Sequence, residues 1–180
     1  SDPPSVVPQG MNVFNRWLHG RNTFYWSRNA HAQGAGDYSK AKIYHWLHSP
    51  NIATTAGILE SVKEPLERRV WFAYPGQDSP YVSVGSSDRP IHVGRVLDDG
   101  TTQLYVYGYN GLGNLTNSID PVGREFSYIY AANEIDLLEV RQTRGTNNEL
   151  VALMAYNHQH LPLTITDAAG QTTTRTYNSR

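Results

Sequence analysis

One spacing recurs in this 180-residue chain and limits what the chain can fold into. In the stretches DPVGREFSYIY and DAAGQTTTRTY, glycine follows aspartate by three positions, and tyrosine follows that glycine by seven. The residues are Asp120, Gly123 and Tyr130 in the first copy and Asp167, Gly170 and Tyr177 in the second. An interval that returns along a chain indicates a structural repeat, in which each copy builds the same small unit.

Weaker copies extend the repeat toward the amino terminus. The stretch DDGTTQLYVY keeps the interval from Gly100 to Tyr107, although Leu97 takes the aspartate position. Further upstream, EPLERRVWFAY aligns with the first copy through Glu64, Pro65, Glu67 and Tyr74. The closing position of the unit is therefore a tyrosine in all four copies.

The leading halves of the two strong copies also match. Each opens with Tyr-Asn, at Tyr109 and at Tyr156, and each runs eleven residues from that tyrosine to the aspartate. The unit is then Tyr-Asn, a strand, an Asp-to-Gly turn, a second strand and a closing tyrosine.

Physical chemistry explains the fixed residues of the turn. An aspartate at the first position accepts a hydrogen bond from the backbone two residues on, proline presets φ at the second, and glycine relieves crowding at the fourth. Asp120, Pro121 and Gly123 follow this recipe. Side chains alternate between the faces of a strand, so the closing tyrosines of paired hairpins are expected to form a ladder on one face. Because an isolated hairpin is marginally stable, neighbouring hairpins must stabilise one another.

Composition agrees with a β-rich chain. Twelve tyrosines, four tryptophans, fifteen glycines and ten prolines are typical of aromatic strands separated by turns, so we expect an all-β fold of antiparallel hairpins in a curved or spiralling sheet. The net charge of −1, without runs of basic residues, argues against nucleic acid as a partner. No apolar run approaches the length of a membrane span. With no cysteine, the chain can form neither disulfides nor thiolate metal sites.

The first third is less regular than the rest. We divide the chain into a β-rich part over residues 1–63 and a repeat segment over residues 64–180, with units ending near Tyr74, Tyr107, Tyr130, Tyr156 and Tyr177. In the longer interval between Tyr130 and Tyr156, RQTRGTNNEL is predicted to be an extended hairpin loop. RNTFYWS and KAKIYHWLH are predicted strands, and AHAQGAGDYS between them is predicted to be turn or loop. AGILESVKEPLERR has some helical periodicity, but Pro65 interrupts it, and strand is favoured.

Residues capable of chemistry are few, and ordinary roles explain them. His45 and His48 would point to opposite faces of a strand, which argues against a shared metal ion. His158 and His160 lie in a predicted turn without a third ligand nearby. Asp98 and Asp99 precede Gly100 and are expected to form a turn rather than an acid and base pair. We predict no catalytic residue, no metal site and no cofactor.

The repeat unit resembles a known family. YGYNGLGNLTNSIDPVGREFSYIY is similar to the YD repeat of rearrangement-hotspot (RHS) proteins and of the related teneurins, clearly over residues 95–180 and more weakly back to residue 64. The resemblance implies a spiralling β-sheet that winds into a hollow shell, which in bacterial members of the polymorphic-toxin type encloses a toxic carboxy-terminal domain. It also implies a secreted or cell-surface protein and a chain that is part of a longer one.

The same resemblance sets functional expectations. In bacterial members, a self-cleaving aspartate site is an Asp-Pro-x-Gly turn followed at once by tryptophan, whereas Arg124 follows the turn here, so no catalytic role is carried over. The expected function is a structural module that encapsulates or presents a toxin or effector domain, with further repeats of the parent chain as partners. The alternative is a carbohydrate-binding or adhesion module, because exposed tyrosine and tryptophan rings suit sugars. An enzyme is the least favoured class.

Overall fold

The computed structural model describes residues 6–13, 18–48, 54–77 and 85–178. Within them lie twelve strands, one helix of six residues, α1 (Arg28–Gln33), and a short 3-10 helix at Tyr38–Lys40. The strands are β1 (Asn22–Tyr25), β2 (Lys42–His48), β3 (Thr55–Lys63), β4 (Val70–Ala73), β5 (His92–Val96), β6 (Thr102–Tyr109), β7 (Leu115–Ile119), β8 (Glu125–Tyr130), β9 (Leu137–Arg144), β10 (Asn147–Tyr156), β11 (Pro162–Asp167) and β12 (Thr172–Thr174). The predicted all-β class is confirmed.

The strand order in the sheet follows the order in the chain, from β1 to β12. Neighbouring strands are antiparallel, as in β2 with β3 and β9 with β10, and from β6 to β12 each strand leads into the next through a turn. The sheet is open, with β1 and β12 at the two ends of its strand order. The predicted succession of antiparallel hairpins is thus what the backbone forms.

The chain divides into two compact units, and the boundary between them in the sequence falls within β6. One comprises residues 1–105 and the other residues 106–180, and we call them the amino-terminal and the carboxy-terminal unit. The boundary after residue 105 separates two compact units of the structure, whereas the division at residues 63 and 64 marks where the sequence repeat begins. The division at 63 and 64 stays a prediction about sequence units.

The amino-terminal unit has a hydrophobic core. Its buried side chains are those of Met11, Val13, Leu18, Trp71 and Ala73, with Val7 and Leu104 packed against them. Trp71 is completely buried, since β4 lies between β3 and β5 in the sheet and segments 6–13 and 18–20 contribute apolar side chains. Trp71, which lies in the weak repeat copy EPLERRVWFAY, is therefore a core residue.

The carboxy-terminal unit is organised differently. Among its described residues, 106–178, none is buried, and the side chains along β7, β8 and β9 are mostly half-buried. Its structure is a meander in which each strand pairs with the next through backbone hydrogen bonds. Backbone pairing and turns, rather than a filled interior, define this unit.

Two local expectations were wrong. AHAQGAGDYS, predicted to be turn or loop, begins within α1, which the side chain of Ser27 caps by accepting a hydrogen bond from Ala30 N. RQTRGTNNEL, predicted to be an extended loop, continues β9 and β10 up to a two-residue turn in which Gly145 has φ 64°. Glycine at the first position of such a turn suits a tight hairpin. By contrast, the strand favoured over helix for AGILESVK is confirmed as β3.

Candidate functional site

The repeated turns share one geometry, and they are the best-defined recurring feature of the molecule. In each, the amide of the fourth residue donates to the carbonyl of the first, as Gly123 N does to Asp120 O at 2.9 Å. The amide of the first residue then donates to the carbonyl of the fifth, as Asp120 N does to Arg124 O at 3.0 Å. Turns that begin at Leu97, Asn110, Asp120, Asn157 and Asp167 have both bonds. The turn at Ala131 contains one extra residue, and its amide bonds the carbonyl of Asp136.

The fourth position of every one of these six turns is left-handed. Its φ lies between 59° and 84° at Gly100, Gly113, Gly123, Glu134, His160 and Gly170. L-amino acids with a Cβ adopt this region at a cost, whereas glycine does not. The glycines that the spacing singled out therefore stand where the backbone needs them.

A side-chain oxygen at the first position completes four of the turns. Asp120 Oδ1 accepts from the amides of Val122 and Arg124, both at 3.0 Å, and Asp167 Oδ1 accepts from Ala169 and Gln171, both at 2.9 Å. The asparagines of the two Tyr-Asn pairs do the same: the side-chain oxygens of Asn110 and Asn157 each accept from the residues two and four positions on.

The asparagines are the residues whose role the sequence reasoning missed. It treated Tyr-Asn as the opening of a strand, whereas Asn110 and Asn157 are turn residues equivalent to Asp120. The signal was present in NGLG, residues 110–113, which has the same Asx-to-Gly spacing as DPVG, residues 120–123. Each repeat therefore contains two turns of one kind rather than one.

Electrostatics favour the ionised carboxylate in these turns. Desolvation by itself would raise the pKa of Asp120, but hydrogen bonds from Arg124 and Val122 outweigh it and hold that pKa below its usual value. The side chain and the amide of Thr101 lower the pKa of Asp99 in the same way. Asp99 is thus a turn former that contacts Thr101, as the adjacent Asp-Asp-Gly sequence predicted.

The degenerate copy at residues 64–67 has a different turn. Its fourth amide, that of Glu67, donates to Glu64 O at 3.2 Å, which preserves one bond of the pattern. The left-handed residue is now Leu66, with φ 64°, at the third position instead of the fourth. The sequence alignment of this copy therefore correctly placed a chain reversal at residues 64–67. It did not predict which position of the turn is left-handed.

The repeat tyrosines lie on one face of the carboxy-terminal unit. Ser118 is opposite both Tyr107 and Phe126, so Tyr107 shares the face that Phe126, Tyr128 and Tyr130 occupy. Val140 is likewise opposite both Tyr128 and Ala152, which places Tyr156 on that face. The side chains of Tyr107, Tyr109, Tyr130 and Tyr156 are half-buried.

Desolvation also marks two of these rings. It raises the pKa of Tyr130 and is the first cause that raises the pKa of Tyr156, with Asp136 and Tyr130 adding to the latter. The influence of Tyr130 on the pKa of Tyr156 agrees with rings that face the same way on strands β8 and β10.

The first and last tyrosines of the series have individual anchors. Tyr74 is buried in the amino-terminal unit, where its hydroxyl donates to Leu59 O at 2.6 Å and desolvation raises its pKa to about 12. Tyr177 is 40% exposed, and its hydroxyl donates to Pro162 O at 2.7 Å. At both ends of the series, the hydroxyl of the closing tyrosine thus donates a hydrogen bond to a carbonyl of an earlier strand.

The histidines occupy unexpected environments. His45 and His48 were expected on opposite faces, yet both are buried and their ring centroids lie 5.2 Å apart. The pairing of β2 with β3 is irregular here, with register shifts between His45 and Trp46 and between Trp46 and His48. His45 contacts Asn22 and Glu60 through its two ring nitrogens. Within the described residues, no group of three histidine, cysteine or acidic side chains is placed to hold a metal ion.

One groove on the amino-terminal unit has the size of a ligand site. Its volume is about 430 Å³, and Tyr25, the polar side chains of α1 and the turn at Pro65 and Leu66 line it. Tyr25 is 60% exposed, and the rings of Phe24, Trp26 and Tyr38 cluster beside it. Ion pairs already engage its charged residues, as between Lys42 and Glu64.

Comparison with known proteins yields little beyond this geometry. No family model matches the sequence, and no curated protein matches it. A chain of the crystal structure of TcdB2-TccC3 is similar to it, with a TM-score of 0.47 and 12% sequence identity. The similarity covers 78% of this chain and 9% of that chain, so this chain spans less than a tenth of the other's length. Among the described residues, no helix is long and apolar enough to cross a membrane.

Proposed function

We propose that this chain is a structural repeat module, a section of the β-sheet that forms the wall of the shell in a larger YD-repeat protein. The observation that carries the proposal is the carboxy-terminal unit itself. It repeats one turn geometry, pairs its strands in chain order and buries no side chain among residues 106–178. A sheet of this kind is stabilised by its neighbours rather than by a core, which is the physical logic of repeat proteins.

Addition of a neighbour tests this role directly. One extra unit, a copy of residues 109–130, would be fused after Tyr177. A wall module should accept it as the next pair of strands, so the amides of β12 should exchange with solvent at least tenfold more slowly. The matched control carries the changes equivalent to Asp120→Ala and Gly123→Ala in the added copy. Equal exchange of β12 in both fusions and in the parent chain would refute the proposal.

The finer form of the proposal concerns what the wall surrounds. By its sequence resemblance, the module belongs to a secreted or cell-surface protein whose repeats enclose or present a toxin or effector domain, and it has no catalytic role of its own. The coding sequence on either side is the test. Continuing Tyr-Asp or Tyr-Asn units followed by a terminal domain of different composition would support encapsulation. A reading frame without further units would contradict it.

A carbohydrate-binding role is the second candidate, and the groove beside Tyr25 favours it. An exposed aromatic ring next to hydroxyl and amide side chains suits a neutral sugar, since the ring packs on C–H groups while the polar side chains bond hydroxyls. The tryptophans weigh against a broad aromatic surface for sugar binding. Trp71 is in the core, Trp26 and Trp46 are half-buried, and Trp17 lies outside the described residues.

Titration with neutral oligosaccharides separates the two candidates. If sugar binds in the groove, backbone amide signals of residues 25–42 should shift, and Tyr25→Ala should abolish the shift. Tyr177→Ala is the control, because that ring is also exposed but belongs to the other unit. No shift at millimolar sugar would leave only the structural role.

A further inference from the structure

Three turns of the carboxy-terminal unit lie along the same edge of its meander, because successive turns alternate between two edges. On one edge are the turns over residues 110–113, 131–136 and 157–160. On the other are the turns over residues 120–123, 145–146 and 167–170. We call the first the asparagine edge, since Asn110, Asn133 and Asn157 each accept backbone amides there.

The first two turns of the asparagine edge are bonded to each other. The side-chain amides of Asn110 and Asn114 both donate to the backbone carbonyl of Glu134, each at 2.8 Å. Gly111 faces the same residue, and a Cβ at this position would lie 3.1 Å from Glu134 Oε2. Two side-chain amides thus donate to one carbonyl, and a glycine stands where the two turns approach each other. These bonds join residues that are 24 and 20 positions apart in the chain.

The second and third turns are bonded by a different pair. His160 Nδ1 lies 3.0 Å from Asp136 Oδ2 and 3.1 Å from Oδ1. Asn133 reaches the same group, with its Nδ2 at 2.8 Å from Asp136 Oδ2 and 3.3 Å from His160 Nδ1. The turn over residues 131–136 is therefore contacted from both sides.

Backbone conformation points to the same two places. Of the six left-handed fourth positions, four are glycine, and the two exceptions are Glu134 and His160, with φ 59° and 62°. Both exceptions lie on the asparagine edge, and each is a contact point between turns. A non-glycine residue in this region is strained, and strain persists where surrounding contacts compensate for it.

We propose that these contacts form a polar clasp that couples alternate hairpins directly, past the strands between them. The turn over residues 131–136 is its centre, held by Asn110 and Asn114 on one side and by His160 on the other. Opening of any of the three turns then weakens the others, so that this edge opens as a cooperative unit. The inference rests on contacts within the carboxy-terminal unit and does not depend on what the parent protein encloses.

Hydrogen exchange of a neighbouring turn tests the coupling. The reporters are the amides of Ala131 and Glu134, which bond Asp136 O and Ala131 O inside the central turn. His160→Asn keeps a residue that tolerates the left-handed region but removes the imidazole, and Asp136→Asn preserves size. His160→Asn lies outside the central turn and should speed exchange of both reporters about three- to tenfold. Asp136→Asn lies inside that turn and completes the cycle, in which the double variant should add little to either single change.

A second variant tests the contact of the central turn with the turn over residues 110–113. Asn114→Ala removes one donor to Glu134 O, and it should also speed the reporters and carry over to the amide of His160. The control is Arg124→Gln, which removes the Arg124–Asp120 contact inside a turn of the opposite edge and should affect that turn alone. Effects confined to each mutated turn, or singles that simply add in the double variant, would overturn the clasp. Far-UV circular dichroism confirms that each variant keeps its sheet.

Discussion

The two units of this chain are built from the same kind of strand but are stabilised in different ways. The amino-terminal unit buries a tryptophan, several aliphatic side chains and a polar group that includes His45, Glu60 and Arg69. In the carboxy-terminal unit, none of the described residues is buried. A β-sheet can therefore continue from a region with a core into one where backbone pairing, turns and half-buried rings dominate.

The difference shows where sequence regularity is useful. A core is filled by side chains of complementary shape, which need not repeat, and the amino-terminal residues do not repeat clearly. A meander without a core depends on each hairpin presenting the same edge to the next, so its turns are constrained to one geometry. The two strong copies of the repeat thus lie in the unit in which none of the described residues is buried.

The largest contrast is expected from truncation of the buried tryptophan. Trp71→Ala should lower the free energy of unfolding of the amino-terminal unit by about 3–5 kcal/mol, because it leaves a cavity among Met11, Val13 and Leu18. Urea denaturation followed by amide signals of each unit measures this. The control is Trp46→Ala, at a half-buried ring, which should cost less. Equal losses would mean that the core is not the main support of the unit.

Two glycines sharpen the comparison. Gly94→Ala places a Cβ 2.9 Å from Met11 Sδ and 3.0 Å from Gln103 O, so it should destabilise by about 1–3 kcal/mol through overpacking. Gly123→Ala meets no atom within 4 Å but keeps φ near 80°, so it should cost only the strain of about 1–2 kcal/mol. Gly123→Asn, which tolerates that region, should recover part of the loss, whereas Gly94→Asn should not. Thermal denaturation of the four variants tests the distinction.

Tyr130→Ala measures what a half-buried ring contributes. Complete burial would predict a loss of several kcal/mol, but partial exposure reduces the expected loss to about 1–2 kcal/mol. Asp98→Ala is the comparison, because that side chain is 96% exposed and its ion pair is with Arg68, whose side chain is 41% exposed. The substitution should be nearly silent. Similar small effects of both substitutions in chemical denaturation would contradict a stabilising tyrosine face.

The smallest expected effect is a dependence on acid. The hydrogen bond from His160 is the main cause that lowers the pKa of Asp136 below its ordinary 3.8, with Asn133 contributing. Its folded pKa is then below the unfolded one, so its stabilisation is present above the unfolded pKa and is lost as pH falls through the folded value. Apart from His160, the titratable group that faces this carboxylate is Tyr156, which stays protonated in acid. Carboxylates titrate between about pH 5 and pH 2. Over this range, the protection of residues 131–136 against hydrogen exchange should fall less steeply in Asp136→Asn than in the parent chain.

Several elements could be predicted because their causes are local. An aspartate three residues before a glycine closes its own turn, and this holds at Asp120 and Asp167 without help from distant residues. In the carboxy-terminal unit, pairing in chain order follows, because short turns leave each strand beside its predecessor. The register of β2 could not be predicted, since the two shifts in its pairing with β3 depend on the partner strand, and neither could the contact between the rings of His45 and His48.

The sequence by itself determined the turns, the alternation of strands and the all-β class of this protein, because these depend on residues a few positions apart. Only the tertiary structure decided which rings are buried and which turns touch. Burial of Trp71 requires Met11, Val13 and Leu18 to pack against it, and the contact between His160 and Asp136 joins positions that neither periodicity nor turn chemistry connects. Such contacts are set by the stacking of whole hairpins, and their energies appear only once the chain has folded.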